Sequence, residues 1–263
     1  MTQADLHAYL ARIGFATGPA PSLPTLTALH EAHVGAVPFE NLDILLGRPI
    51  SLEPAALHAK LVAGRRGGYC FEQNTLFRAA LETLGFGAIA LSARVRAGAT
   101  TLRPRTHMLL RVELPEGPYL ADVGFGGEGP VHPLPFVAGV ETWIAGSGYR
   151  LRAEQELWVL EANHTGDWAG LYAFTLEAQH PVDFEMANHF TSTYPASPFR
   201  QSLTAQRSWP GRRAILRDRD LVLREGRDTR TETIRDPEHL LEVLERRFDL
   251  VFPRGTRFSA PSF

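Results

Sequence analysis

The spacing of apolar residues changes near residue 87, and this change constrains the fold more than any other feature of the chain. Before it, apolar residues recur at helical intervals; after it, they alternate with polar residues, as is typical of β-strands. The helical segments are 4–14, 25–34 and 70–84, and the strand-like segments are 88–95, 107–114, 119–123, 158–162 and 172–177. This order predicts an α+β protein whose strands form an antiparallel sheet or a small barrel.

The last part of the chain mixes both patterns. A short helix is predicted over 181–190 and paired strands over 214–225. A small polar residue shortly before a proline also marks two helix starts. These are Ser51 with Pro54, and Asp236 with Pro237, the second helix running to residue 247. The chain has no internal repeat or long linker, so we expect its regions to pack as one unit.

Composition narrows the class of protein. The chain has 263 residues, 44% of them apolar, and can bury a large core without a disulfide or metal staple. Its net charge of −2 lacks the basic excess that marks nucleic-acid-binding proteins. The N-terminus does not resemble a signal peptide, and no apolar run approaches the roughly 18 residues of a membrane span. We expect a cytoplasmic protein with no nucleic-acid or membrane partner.

Cys70 is the only cysteine, which excludes an intramolecular disulfide, a multi-thiolate zinc site and a Cys-x-x-Cys redox pair. It follows Gly67 and Gly68 and begins the helical segment 70–84. The unpaired N–H groups and the dipole of a helix N-terminus favour a thiolate, and glycines allow close approach of the backbone. Cys70 is therefore either a buried apolar residue or a nucleophile.

His107 and Asp122 are the residues that would assist such a nucleophile. His107 opens a strand after a turn that contains Pro104, so it lies either on the surface or beside a cleft. Asp122 lies in an apolar stretch and is followed by Gly124 two residues later. A carboxylate in a half-buried strand is costly unless it is paired. Its partner is either a histidine, an arginine or the backbone of the glycine turn.

The strand register does not by itself bring these two residues together. If Glu116 and Gly117 form the turn of the hairpin, Asp122 lies opposite Arg111. His107 is then several residues out of line with Asp122. A bulge, a strong twist or a wider loop is needed for contact.

Five short blocks of sequence occur in order between residues 37 and 199. They are Val-Pro-Phe-Glu-Asn-Leu at 37–42, Arg-Gly-Gly-Tyr-Cys-Phe-Glu-Gln-Asn at 66–74, Thr-His-Met-Leu-Leu at 106–110, Tyr-Leu-Ala-Asp-Val-Gly-Phe-Gly at 119–126, and Asp-Phe-Glu-Met-Ala-Asn-His-Phe-Thr-Ser at 183–192. Together they resemble the active-site signature of the arylamine N-acetyltransferases. The length of the chain also fits that family.

The resemblance implies a three-domain enzyme with a cysteine-protease-like catalytic core. A helical bundle over 1–86 would carry the catalytic cysteine. A central antiparallel β-barrel over 87–195 would carry the histidine and the aspartate, and an α/β lid over 196–263 would complete the molecule.

The resemblance also implies the chemistry. Cys70, His107 and Asp122 would form a catalytic triad, so the last two would be in contact. The enzyme would move an acetyl group from acetyl-CoA to the nitrogen of an arylamine or a hydrazine. The reaction would be ping-pong, through an acetyl-cysteine intermediate.

Four further positions match binding sites of the family. Phe39 and Phe125 match the acceptor pocket, where apolar rings suit an aromatic amine; the alternative is a place in the ordinary core. Gly126 and Gly127 match the loop beside the pyrophosphate and pantetheine of CoA. No metal is implied.

Three other functions remain open from the residues. An amide synthase would use the same triad on another acyl thioester donor, as some relatives of the family do. A cysteine amidase or peptidase would use water as the acceptor. A binding module would use Cys70 in no reaction.

Overall fold

The computed structural model describes residues 1–16, 20–164, 166–226 and 228–260, and its N-terminal part is helical. The helices are α1 (Gln3–Ile13), α2 (Leu23–Ala36), α3 (Leu42–Leu45), α4 (Pro54–Leu57) and α5 (Cys70–Thr83). A π-helical segment, His58–Ala63, continues α4. Buried apolar residues such as Leu10, Leu29 and Phe77 join these helices in one core, which gains its stability from removing apolar surface from water.

The helix starts follow capping rules, with one correction to the sequence prediction. Ser22 caps α2 by accepting the N–H of Thr25 at 3.4 Å. The predicted cap at Ser51 is wrong, because Pro54 is the first residue of α4 and Glu53 directly precedes it. The Ser51 hydroxyl instead accepts the N–H of Glu53 at 3.2 Å. A cap must adjoin the first helical residue to reach the N–H groups of the first turn.

The central part of the chain forms an antiparallel sheet. Its strands are β2 (Gly87–Val95), β3 (His107–Leu114), β4 (Gly117–Ala121), β5 (Leu134–Pro135), β6 (Glu141–Ile144), β7 (Ser147–Glu154), β8 (Leu157–Asn163) and β9 (Ala169–Phe174). In the described residues their spatial order is β5-β4-β3-β2-β9-β8-β7-β6. After β5 the chain reaches the opposite side of the sheet, where Ala138 bridges Leu151. The sheet is therefore a nearly closed barrel.

The C-terminal part is a second antiparallel sheet covered by a helix, which we call the lid. Two helices, α6 (Pro181–Thr193) and α7 (Pro198–Gln201), precede it. The lid consists of β10 (Thr204–Trp209), β11 (Arg212–Arg217), β12 (Asp220–Glu225), β13 (Asp228–Thr233) and α8 (Pro237–Phe248). Leu216, Leu244 and Phe248 lie in its separate apolar core.

A two-residue strand from the N-terminal part, β1 (Phe39–Glu40), extends the lid sheet. Phe39 pairs with Gln206 of β10. Phe39 also bridges Gly68, and the N–H of Glu40 donates to the carbonyl of Gly68 at 3.0 Å. Strand β1 therefore holds the lid against the loop that precedes Cys70.

Candidate active site

Cys70 is the first residue of α5, and glycine lets the chain fold tightly before it. A Cβ on Gly68 would lie 2.7 Å from Oε2 of Glu72. That same oxygen accepts the N–H of Tyr69 at 3.1 Å and so caps the helix. Cys70 is 3% exposed, and its Sγ lies 3.6 Å from the carbonyl oxygen of Thr106. The thiol is thus held in the interior at a helix N-terminus.

His107 and Asp122 meet beside this thiol. Nε2 of His107 lies 2.7 Å from Oδ2 of Asp122, and both side chains are buried. The hydroxyl of Tyr172 donates to the same Oδ2 at 2.9 Å. The neighbouring Cys70 thiol interacts with the His107 ring and raises its pKa. Because Nε2 faces the carboxylate, Nδ1 is the ring nitrogen that remains free to interact with the sulfur.

The contact depends on a hairpin turn one residue earlier than expected. Leu114 pairs with Gly117, so the turn does not include Gly117. Arg111 therefore pairs with Leu120, and the expectation that it lies opposite Asp122 is wrong. Asp122 lies beyond the last paired residue of β4, where the chain turns its carboxylate toward the start of β3.

The electrostatic environment favours a charged histidine. Burial lowers the pKa of His107, but the charge of Asp122, the hydrogen bond to it and the contact with Cys70 together raise that pKa to about 10. For Asp122, burial opposes ionisation, but the charge of His107 and the hydrogen bonds that the carboxylate accepts hold its pKa below the usual range. At neutral pH the pair is therefore an imidazolium and a carboxylate.

Asn74 ties the three elements of the site together. It lies one helical turn after Cys70 on α5. Its Nδ2 donates to the carbonyl of Met108 at 2.7 Å and to Oδ1 of Asp122 at 3.0 Å. Its Oδ1 accepts the N–H of Val123 at 3.1 Å. The amide thus fixes the helix that carries Cys70 against β3 and against the turn after β4.

Two further residues hold Asp122 but were not predicted from the sequence to be part of the site. They are Tyr172 and His30. The Nε2 atom of His30 accepts the backbone N–H of Asp122 at 3.1 Å. A signal for His30 exists, since it lies one turn after Leu26 and one turn before Val34 on the buried side of α2. A polar ring at such a position needs partners. Tyrosine is common in strands, so nothing distinguished Tyr172.

The two predicted pocket aromatics lie near the site. The ring of Phe125 stands edge-on to that of His107, with centroids 5.2 Å apart. Phe39 packs against Phe199, with centroids 6.0 Å apart. Both line a cavity of about 20 Å³ beside Asp122. That volume holds about one water-sized sphere, so an aromatic ring enters only after side chains move.

The two predicted glycines lie under the lid. A Cβ on Gly126 would be 2.7 Å from Oε1 of Gln206, and one on Gly127 would be 2.6 Å from Cδ1 of Ile215. The N–H of Gly127 donates to Oε1 of Gln206 at 2.5 Å. Here both glycines permit close approach of β10 and β11, and the Gly127 amide is already hydrogen-bonded.

A buried arginine of the lid holds the same loop. The guanidinium of Arg213 donates to the carbonyl oxygens of Gly127 and Gly129 and to the hydroxyl of Tyr149. Arg213 is 7% exposed. The sequence marked no special role for it, because arginines are scattered through the chain.

Among the residues that the structure describes, no group of three or more His, Cys, Asp or Glu side chains is arranged to hold a metal ion. No helix there has the length and apolar character needed to cross a membrane.

Comparison with protein families gives one match that covers most of the chain. Residues 22–256 match the model of a family described as N-acetyltransferase. A curated arylamine N-acetyltransferase of Escherichia coli is 38% identical over 248 residues, which are 93% of this chain and 88% of that protein.

Solved structures agree with the sequence match. The arylamine N-acetyltransferase of Salmonella typhimurium superposes with a TM-score of 0.90 at 37% identity, over 95% of this chain and 92% of that one. A Mycobacterium marinum arylamine N-acetyltransferase in complex with CoA superposes with a TM-score of 0.88 at 37% identity, over 93% and 92%. The helical bundle, the barrel and the lid are thus the architecture of these cysteine-protease-like structures.

Proposed function

The chain belongs to the arylamine N-acetyltransferase family and is an acyltransferase, and from this premise we propose that it acetylates arylamines or hydrazines through an acetyl-Cys70 intermediate. The observation that carries the proposal is a buried cluster. In it the sulfur of Cys70 lies 3.6 Å from the carbonyl oxygen of Thr106, the residue before His107, and Nε2 of His107 lies 2.7 Å from Oδ2 of Asp122. Such a set activates a sulfur nucleophile and orients its base.

In the first half-reaction His107 holds the proton of the Cys70 thiol on Nδ1, because its raised pKa keeps the ring an imidazolium. The Cys70 thiolate attacks the carbonyl carbon of acetyl-CoA. A carbon–sulfur bond to Cys70 forms and the bond to the CoA sulfur breaks. The CoA thiolate leaves with the proton from Nδ1. One thioester replaces another, so the step is nearly balanced in free energy.

In the second half-reaction the amine attacks the carbonyl carbon of acetyl-Cys70. The nitrogen gives its proton to Nδ1 of His107 as the new amide forms. The bond from carbon to the Cys70 sulfur breaks, which regenerates the thiolate beside the imidazolium. Asp122 holds the ring orientation in both halves.

The tetrahedral oxyanion needs N–H donors that are not already engaged. Gly124 donates its N–H to Oδ1 of Asp122 at 3.0 Å, and Gly127 donates its own to Gln206. The first-turn amides of α5, beside Cys70, have no partner within the helix by geometry. We assign the oxyanion to these amides.

The binding roles follow from position. Phe39 and Phe125 border the cavity beside Asp122, which supports their assignment to the acceptor ring. Gly126 and Gly127 are assigned to the CoA side, and the lid strands over them must shift before a donor reaches that loop. A single buried thiol that must stay reduced supports a cytoplasmic location.

Mass spectrometry of the intact protein tests the proposal. With acetyl-CoA alone we expect one acetyl group per chain, and its loss as amide when an arylamine is added. The control is Cys70→Ala, which has no thiol and must stay unlabelled. No label on the wild-type protein, or the same label on Cys70→Ala, contradicts the proposal.

The same assay separates the other functions. If free CoA does not compete with the acyl donor for the enzyme, the donor is a different thioester, as in an amide synthase. Release of free acid from an amide without any amine indicates an amidase or peptidase.

A further inference from the structure

His30 lies on the far side of Asp122 from the catalytic histidine. It is fully buried on α2. Its Nε2 lies 3.1 Å from the backbone nitrogen of Asp122, and its Nδ1 lies 3.0 Å from the carbonyl oxygen of Val131. The edge of the ring also packs against Phe77, with centroids 5.9 Å apart.

These partners fix the protonation of the His30 ring. A backbone N–H can only donate, so Nε2 must carry a lone pair. A carbonyl oxygen can only accept, so Nδ1 must carry the proton. The ring is therefore neutral. Burial agrees with this assignment, because it lowers the pKa of His30 to about 4 despite the nearby carboxylate of Asp122.

The Asp122 amide lies at a critical point of the backbone. Strand β4 ends at Ala121, so Asp122 has no partner in the ladder with β3. The ring of His30, on helix α2, instead accepts the hydrogen bond from the Asp122 N–H. The carboxylate on the same residue meets His107 at 2.7 Å. A rotation of the peptide before Asp122 would therefore move the carboxylate away from the ring it orients.

We propose that His30 is a positioning residue for acetyl transfer, which holds the Asp122 backbone so that its carboxylate stays aligned with His107. This inference rests on the proposed function, since it gives Asp122 the orienting role in the triad. Only the acceptor atom Nε2 performs this task. The proton on Nδ1 ties the ring to Val131 and so sets its angle.

Two substitutions separate the two nitrogen atoms of the ring. In His30→Gln the amide oxygen reaches the place of Nε2 and can accept the Asp122 N–H. In His30→Asn the shorter amide reaches only the place of Nδ1, so the Asp122 N–H loses its acceptor. Each variant retains one of the two contacts of the ring and loses the other, so the comparison separates the contact with Asp122 from the contact with Val131.

The readout is the pH profile of Cys70 alkylation by iodoacetamide, together with the rate of acetylation by acetyl-CoA. We expect His30→Gln to keep most of the wild-type alkylation profile and of the wild-type acetylation rate. We expect His30→Asn to lower the acetylation rate about 10- to 100-fold, as for a small misplacement of a catalytic group. Its alkylation at pH 6 should fall by a similar factor, because a displaced Asp122 no longer favours the imidazolium.

His33→Asn is the matched control. His33 is on the same helix, is fully buried, and also uses both ring nitrogens, toward Tyr9 at 2.8 Å and Gln73 at 3.2 Å. It does not contact Asp122. A general loss of stability should appear in both asparagine variants, whereas the change of pH profile should appear only in His30→Asn.

Three outcomes overturn the inference. They are equal profiles for His30→Gln and His30→Asn, an altered profile for the control, and a His30 ring that titrates. The last is measured on the wild-type protein by histidine nitrogen NMR between pH 5 and 8, which needs no variant to fold. Alkylation needs no acetyl-CoA, so failure of the proposed function would appear separately, as wild-type protein that takes no acetyl group.

Discussion

Lys60, the one lysine of the chain, lies in a cluster of charges beneath the cysteine loop. Its ammonium is 2.9 Å from Oδ2 of Asp43 and 2.7 Å from Oε1 of Glu72. Arg66 completes the cluster, with Nη2 2.6 Å from Oε1 of Glu40. Burial raises the pKa of Glu72 even though Lys60 opposes the shift. The carboxylate that caps the helix of the catalytic cysteine thus depends on one cation.

Lys60→Met should destabilise the protein by about 3 kcal/mol, because it leaves the charge of Glu72 buried without its partner. Urea unfolding at pH 7 measures the loss. In the control, Glu72→Gln added to Lys60→Met, the destabilisation should shrink, since a neutral amide needs no counter-ion. If Lys60→Met lowers the free energy of unfolding by less than about 1 kcal/mol, the carboxylate of Glu72 does not depend on Lys60 for its stabilisation.

Helix α5 and the turn after β4 are in backbone contact at the active site. A Cβ on Gly124 would lie 2.7 Å from Cα of Cys70 and 3.0 Å from its carbonyl oxygen. The added atom would also lie 2.7 Å from Nδ2 of Asn74. Glycine at this position is therefore what lets the helix that carries the thiol approach the turn that carries Asp122.

Gly124→Ala should separate these two elements. We expect a loss of acetylation rate of about 10²-fold, with a destabilisation of about 1–3 kcal/mol from overpacking. Stopped-flow acylation and urea unfolding measure the two quantities. Gly87→Ala is the control, because its Cβ would meet only Cβ of Glu113 at an ordinary 3.7 Å. Normal acylation by Gly124→Ala would contradict the requirement for close approach.

For the hairpin of β3 and β4, the sequence predicts where the strands lie but not where they turn. Alternation located both strands, since side chains point to opposite faces in turn. It could not locate the turn, because a turn one residue earlier moves each partner by two positions and leaves every side chain on the same face. The predicted partner of Arg111 was wrong for that reason, and the contact of His107 with Asp122 followed from the resemblance instead.

Strand β1 could not be predicted from the sequence either, because its partner strand is distant along the chain. Phe39–Glu40 is too short to show any period, and its partner, β10, begins at Thr204. The long-range pairing, rather than a local pattern, makes these two residues a strand. The resemblance predicts a binding loop at Gly126 and Gly127. Their close approach to Gln206 and Ile215 is another long-range contact, and no local pattern predicts it.

Across the whole molecule, buried histidines make stability depend on pH. Burial lowers the pKa of His30 to about 4 and that of His33 to about 3. In the unfolded chain each ring has a pKa of about 6.5. As pH falls below about 6.5 the unfolded chain therefore binds two protons that the native state does not, and stability is lost. His107 acts with the opposite sign: its raised pKa adds stability that is complete below about pH 6.5 and declines as pH rises toward 10.

We therefore expect the free energy of unfolding to fall by about 4 kcal/mol between pH 8 and pH 5 from these two rings, at about 1.4 kcal/mol per ring and pH unit. Urea unfolding at several pH values measures the slope. His33→Gln should remove close to half of the fall, because one ring no longer titrates in the unfolded chain. Carboxyl groups contribute equally to both proteins and cancel in the comparison.

His7→Gln is the control for this comparison. His7 is exposed on α1, so its solvent environment changes little on unfolding, and its substitution should leave the slope unchanged. If His33→Gln and His7→Gln both keep the wild-type slope, His33 does not remain neutral inside the fold. The lowered pKa of His33 in the folded protein would then be wrong. A slope halved in His33→Gln alone would place that ring among the groups that limit stability in acid.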